Sequence, residues 1–183
     1  MKYAGEDGVA AYGVLMYVNM IFLAVFIGYS VGTAPIIGYH YGANDHSELK
    51  SLLKKSSVII GATSVSMLVL AEILAYPLAK IFVGYDSELM ELTLDGFRIF
   101  SFSFLFAGMS IFGSSFFTAL NNGLISALIS FLRALVFQVA AVLILPIFFK
   151  INGIWLSVAI AEVMAMIITL VFIVKMKDKY NYI

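Results

Sequence analysis

The chain has 183 residues, 62% of them hydrophobic and only 12% charged, with a formal net charge of zero. Soluble domains are about half apolar and about a quarter charged, so this composition cannot cover a water-facing surface, and membrane lipid is the natural partner for the excess. The neutral balance argues against a nucleic-acid partner, and a chain without cysteine has no disulfide framework and no thiolate metal site.

At this length one domain, 1–183, is expected. The start, Met1 to Gly13, is polar and carries Glu6 and Asp7. It lacks the basic n-region and small-residue cleavage site of a signal peptide, so the first apolar segment is expected to stay as an anchor. A helix that crosses lipid needs about 20 apolar residues. Five stretches satisfy this, at about 14–37, 58–83, 97–120, 124–149 and 154–174. The gaps are polar. His40 to Lys55 and Gly84 to Asp95 hold most of the loop charges, while Asn121-Asn122-Gly123 and Lys150-Ile151-Asn152-Gly153 read as turns. Short connections make successive helices antiparallel neighbours, so the fold class is all-α, a polytopic transmembrane helix bundle of about five spans. Strict alternation is absent and the runs are too long for a β-barrel. Pro35, Pro77 and Pro146 lie near span ends, where each is expected to bend its helix.

The basic residues set an expected orientation. Lys50, Lys54, Lys55, Lys175, Lys177 and Lys179 fall on one side, and Lys2, Lys80 and Lys150 on the other, with most loop acids. The positive-inside rule places the first set, and the C-terminus, in the cytoplasm. An external N-terminus before an odd number of spans is expected for a piece whose preceding helix is absent.

Three segments carry a family resemblance. They are Gly28-Tyr-Ser-Val-Gly-Thr-Ala-Pro-Ile-Ile-Gly-Tyr-His-Tyr-Gly-Ala43, the run from Gly113 through Asn121-Asn122-Gly123 to Arg133, and Gly153-Ile-Trp-Leu-Ser-Val-Ala-Ile-Ala-Glu162. In order and spacing they resemble the C-terminal lobe of the MATE (multidrug and toxic compound extrusion) family, helices eight to twelve of twelve. The resemblance implies one lobe of a two-lobe transporter in the cell membrane that exchanges H⁺ or Na⁺ for drugs or organic cations. No further cofactor is implied. The N-terminal lobe is not in this sequence, so the implied partners are that lobe, or another copy, and a small amphipathic drug or organic cation. Sodium-coupled relatives place a carboxylate midway along helix ten; the matching stretch here, Gly108 to Ser110, has none.

Ionisable residues within spans are costly and call for a reason. Three stand out: Glu72, Arg133 and Glu162. Glu72 is either a carboxylate that snorkels to the interface or a proton- or cation-attracting acid. Arg133 lies 17 residues before Lys150 and Glu162 lies 12 after it. At 1.5 Å per residue their depths differ by about 7 Å, so they are expected to pair across neighbouring helices. That pair either locks two helices together or takes part in transport. Asp95 and Arg98 are expected to form a surface pair.

Gly28, Gly32, Pro35 and Gly38 are candidates for close helix packing, preferred for Gly28 and Gly32, or for a hinge. His40, between Tyr39 and Tyr41, reads as an interface anchor. The third span is rich in Phe, most of it for lipid or core. Tyr17, Asn19, Met20, Met109 and Gln138 are candidates for an amphipathic substrate cavity, since aromatic and Met side chains suit varied cationic ligands. No nucleophile triad, phosphate loop or metal-ligand spacing occurs, so an enzyme is not expected. Two alternatives stand beside the exporter reading: a lipid-linked saccharide flippase of the same superfamily, and a non-transporting membrane fragment.

Overall fold

Apolar runs with few helix breakers become long helices. The structure, a computed structural model, describes residues 5–182. Helix α1 is Gly5–Gly42 and α2 is His46–Val83. Helix α3 is Ser87–Phe100, continued through a 3-10 turn, Ser101–Ser103, into α4, Phe104–Ala119. Helix α5, Gly123–Phe131, leads through a wide π turn, Leu132–Phe137, into α6, Gln138–Lys175, and α7 is Lys177–Tyr180. All regular structure among the described residues is helical.

The helices outrun the apolar stretches because the polar gaps are themselves largely helical. The gap from His40 to Lys55 contains no long loop: α2 begins at His46, where the Asp45 carboxylate caps it by accepting from the Glu48 backbone N–H at 3.1 Å. That bond, then one from Ser47, holds the Asp45 carboxyl below its ordinary range. His40 Nδ1 lies 3.2 Å from the same carboxylate, so this histidine belongs to the cap. The gap from Gly84 to Asp95 is likewise mostly α3, capped by Asp86 through the N–H groups of Glu88 and Leu89. Helix α1 also begins earlier than the apolar stretch, with Glu6 and Asp7 in its first turn, where the helix dipole favours acids.

Among the described residues, four rods are long and apolar enough to cross a membrane: Gly5–Gly42, His46–Val83, Ser87–Ala119 and Gly123–Lys175. The last has 53 residues and reverses direction. Lys150 sits at φ 52°, ψ −126°, outside helical geometry. Arg133 and Glu162, 29 residues apart, touch side chain to side chain; along one straight helix they would be about 43 Å apart. The rod is therefore a hairpin, and the bundle makes five crossings. Helix continuity runs through Pro35, Pro77 and Pro146, and the break comes at Lys150 instead. At the hairpin Gly153 lies so near the Leu145 carbonyl that an added Cβ would stand 2.5 Å from it, which excludes a larger residue.

Helix α4 is the hub and packs on α1, α2, α5 and α6. Lipid is as apolar as leucine, so tight packing and small contact residues hold the helices together. A Cβ on Gly108 would meet the Phe26 ring at 2.6 Å, and one on Gly113 would meet Thr169 Cγ2 at 2.2 Å. Close packing falls there, and not at Gly28 and Gly32, which have nothing within 4 Å. Those two lie with Pro35 on an exposed face of α1, while Gly38 alone of the four approaches a neighbour, the Ala119 carbonyl. The phenylalanines of the third span are mostly core: Phe97, Phe100, Phe104, Phe112, Phe116 and Phe117 are buried. They form two clusters along the bundle, one around Trp155 and Phe22, the other around Phe26 and Tyr182. Tyr182 closes the second by donating to the Ile173 carbonyl at 2.9 Å, and burial pushes its phenol up. Asn122 caps α5 and donates to the Tyr180 hydroxyl at 2.8 Å, tying the Asn121-Asn122 turn to the C-terminal segment.

Candidate functional site

The site grows from the Arg133–Glu162 ion pair, the least exposed ion pair among the described residues. Arg133 sits in the wide turn at the end of α5, and Glu162 sits on α6 beyond the hairpin. The guanidinium donates from Nε to Glu162 Oε2 at 2.8 Å and from Nη2 to Oε1 at 2.7 Å. This is a fork-on-fork contact, the strongest geometry available to a charged pair. The side chains are 21% and 10% exposed. The pair cancels its own charge and leaves a polar but neutral patch inside an apolar bundle.

The pair lines a cavity of about 250 Å³. Helix α1 supplies Tyr12, Met16, Asn19 and Leu23, residues spaced to share one face. The wide turn supplies Arg133 and Ala134; α6 supplies Gln138, Val158 and Glu162. Two amides, a phenol, a thioether and an ion pair therefore converge on one pocket. Such a mixture can hold the polar and apolar parts of an amphipathic molecule at once. Pockets for drug-sized ligands are usually about 300–1,000 Å³, so this one is the size of part of a site.

Of the cavity residues anticipated from sequence, Asn19 and Gln138 line it. Tyr17 and Met20 do not: they are 66% and 71% exposed on the outward side of α1. Met109 packs against the second core cluster. Depth along a span can be read by counting, but rotation about the axis cannot when the helix is apolar all round. Glu72 is also apart from the cavity. It is exposed, accepts a hydrogen bond from the Ser101 hydroxyl, and borders a surface groove with Arg98 and Phe102. Asp95 and Arg98 form no ion pair among the described residues.

Sequence reasoning missed a row of hydroxyls. Ser110, Ser114 and Thr118 repeat every four residues on α4, and Ser126 and Ser130 do so on α5. Ser114 Oγ lies 3.0 Å from Ser126 Oγ and 2.8 Å from Ser130 Oγ, and Thr118 lies 2.6 Å from Ser126. Fourfold spacing of serines on two helices joined by a tight turn was the available signal. The upper end of this row opens into a second cavity of about 150 Å³, lined by Ser110, Ser114, Ser130 and, again, Arg133.

The sequence model of the MatE family matches residues 1–144. The chain belongs to the MATE family. No curated protein matches it. Among solved structures it is similar to the inward-facing conformation of a multidrug resistance MATE family transporter of the MOP superfamily, with TM-score 0.91 and 18% identity over 97% of this chain and 42% of the other. The Vibrio cholerae MATE transporter VcmN in its bent form gives TM-score 0.87 at 18% identity, over 94% of this chain and 39% of that one. A MOP superfamily transporter from Pyrococcus furiosus gives 0.89 at 18% identity, over 98% and 40%. The chain thus spans about 40% of the length of the transporters it matches. The five-crossing bundle is one MATE lobe, an integral membrane unit from a family of transporters.

Proposed function

We propose that this lobe is the C-terminal half, helices eight to twelve, of a cation-coupled antiporter that exports drugs or organic cations across the cell membrane in exchange for H⁺ or Na⁺. The observation that carries the reading is the amphipathic cavity on a MATE lobe. Asn19, Gln138, Tyr12 and the Arg133–Glu162 pair converge there. Paired lobes of this kind form sites between repeats, and a second lobe would complete the small cavity seen here. The test is dye efflux from an efflux-deficient bacterium that carries this lobe with a complementary N-terminal lobe. Asn19→Leu and Gln138→Leu together are expected to lower efflux about tenfold or more, because a buried polar group of the substrate then loses its partner. Unchanged efflux in that variant would remove the cavity from the transport route.

The lysine asymmetry supports a cytoplasmic C-terminus. His46, Tyr85 and Asp178 are exposed, and the chain has no cysteine of its own. In intact cells an impermeant thiol reagent is expected to label Tyr85→Cys and to spare His46→Cys and Asp178→Cys. The reverse pattern inverts the topology.

A further inference from the structure

We propose that the groove between α2 and α3 binds a zwitterionic phospholipid with a primary ammonium, of the phosphatidylethanolamine type, with Arg98 taking the phosphate and Glu72 the ammonium. The site lies apart from the Arg133–Glu162 cavity and binds its lipid whether or not the lobe transports.

The two charges meet lipid at one level. Helix α2 ends at Val83 and α3 begins at Ser87. Glu72 is 11 residues before the one and Arg98 is 11 after the other, so each lies about 16 Å below the connecting turn, towards the bilayer centre. Both are exposed, and both border a groove of about 400 Å³. Neither forms an ion pair among the described residues. A charge on a lipid-facing surface is costly and needs a partner; here the lipid itself can supply both. The level suits headgroups. Down the exposed face of α3 run Glu88, Glu91, Asp95 and Arg98, and the face turns apolar at Phe102. On α2, Tyr76 stands exposed one turn above Glu72, and tyrosines of this kind mark the membrane interface. The rest of the groove is deeper: Leu68 and Val69 lie about one turn below Glu72, and Phe102 one turn below Arg98. A charged end above an apolar body matches a headgroup above its acyl chains.

The signs select the headgroup. A guanidinium presents N–H donors that fit phosphate oxygens. Glu72 supplies the acceptor. One of its carboxylate oxygens takes the Ser101 hydroxyl, which orients the group, and the other has no hydrogen-bond partner among the described residues. A primary ammonium donates to that oxygen, whereas the quaternary ammonium of phosphatidylcholine has no N–H to give. Phosphatidylglycerol brings a net negative charge that Glu72 repels, and Arg98 repels a lone organic cation. A site that carries one charge of each sign is best met by a headgroup that carries both.

The test is photocrosslinking of the full chain in vesicles of equal parts phosphatidylethanolamine, phosphatidylcholine and phosphatidylglycerol, all with the same acyl chains. Phe102→benzoylphenylalanine reports the groove. Leu143→benzoylphenylalanine, at a position 65% exposed on α6, reports ordinary lipid. The intact mass identifies the lipid attached. At position 143 adducts are expected to follow the vesicle composition. At position 102 phosphatidylethanolamine is expected to exceed phosphatidylcholine about fivefold, the worth of one net hydrogen bond, with phosphatidylglycerol the rarest. In Glu72→Leu that excess is expected to vanish and phosphatidylglycerol to rise, because Arg98 then stands alone. In Arg98→Leu phosphatidylglycerol is expected to fall further. Adducts at position 102 that match those at 143, an excess that survives Glu72→Leu, or phosphatidylglycerol indifferent to both substitutions overturns the proposal. The comparison of positions 102 and 143 needs neither leucine variant, so it decides even if one of them does not fold. Failure of dye efflux bears on the transport reading alone.

Discussion

Expressed by itself, the 183-residue chain is expected to leave an efflux-deficient bacterium as sensitive to a cationic dye as cells with no insert, and to confer resistance once a complementary N-terminal MATE lobe is supplied. Alternating access moves one repeat against another around a site between them. One lobe has nothing to move against. Its cavity of about 250 Å³ is also smaller than a drug-sized ligand needs. The outward side of α1, with Tyr17, Met20, Val31 and Tyr39 exposed, would meet lipid. A second copy of the chain could stand in for the other lobe only by reproducing the geometry of the natural pair. The measurement is dye accumulation with and without a proton or sodium gradient, in cells carrying the chain alone, the complementary lobe alone, and both. Gradient-dependent efflux from the lone chain would refute the half-transporter reading. No efflux from the combination would favour a lobe that does not transport.

The second large effect is on stability. Arg133→Ala leaves Glu162, only 10% exposed on its side chain, facing a cavity without its cation. Removing one member of a buried pair typically costs about 3–5 kcal/mol. Water in the adjoining cavity places this case near the lower end, about 3 kcal/mol. Glu162→Ala leaves the guanidinium unpaired, but it borders two cavities with room for water, so it is expected to cost less. Replacing both, as Arg133→Met/Glu162→Leu, removes the charges together and is expected to be close to neutral, because apolar groups of similar volume pack as well and need no desolvation. Unfolding of the three variants in detergent micelles gives the comparison. If the double variant is as unstable as Arg133→Ala, the two residues are not energetically coupled, and the bidentate contact is incidental to folding.

The pair was legible before the structure because depth along a membrane helix is arithmetic. Seventeen residues before Lys150 and 12 after it put Arg133 and Glu162 at nearby levels, and lipid penalises any charge that finds no partner. The hairpin was legible for a related reason: Lys150 to Gly153 interrupts an apolar run that would otherwise be far too long for one crossing. Asn19 and Gln138 were legible as polar groups that must avoid lipid. Tyr17, Met20 and Met109 were misplaced because Tyr and Met are at home in lipid, in a core or in a cavity, so their chemistry selects no direction. Once Asn19 faces the cavity, Tyr12, Met16 and Leu23 share its face by helical spacing, and Tyr17 and Met20 are turned away.

By itself, the sequence determined that the chain lives in lipid, that it is all helix, how many times it crosses, and that Arg133 and Glu162 lie at matching depth. Each follows from transfer free energies along one dimension, where composition and counting suffice. Tertiary structure alone decided the rotation of each helix, the close contacts of Gly108 and Gly113 with Phe26 and Thr169, and the meeting of Ser110, Ser114 and Ser130 with Arg133 around one cavity. In lipid a helix that is apolar on every side has no hydrophobic reason to prefer one face. Only the fit of side chains between neighbouring helices chooses it, and that fit depends on residues far apart in the chain.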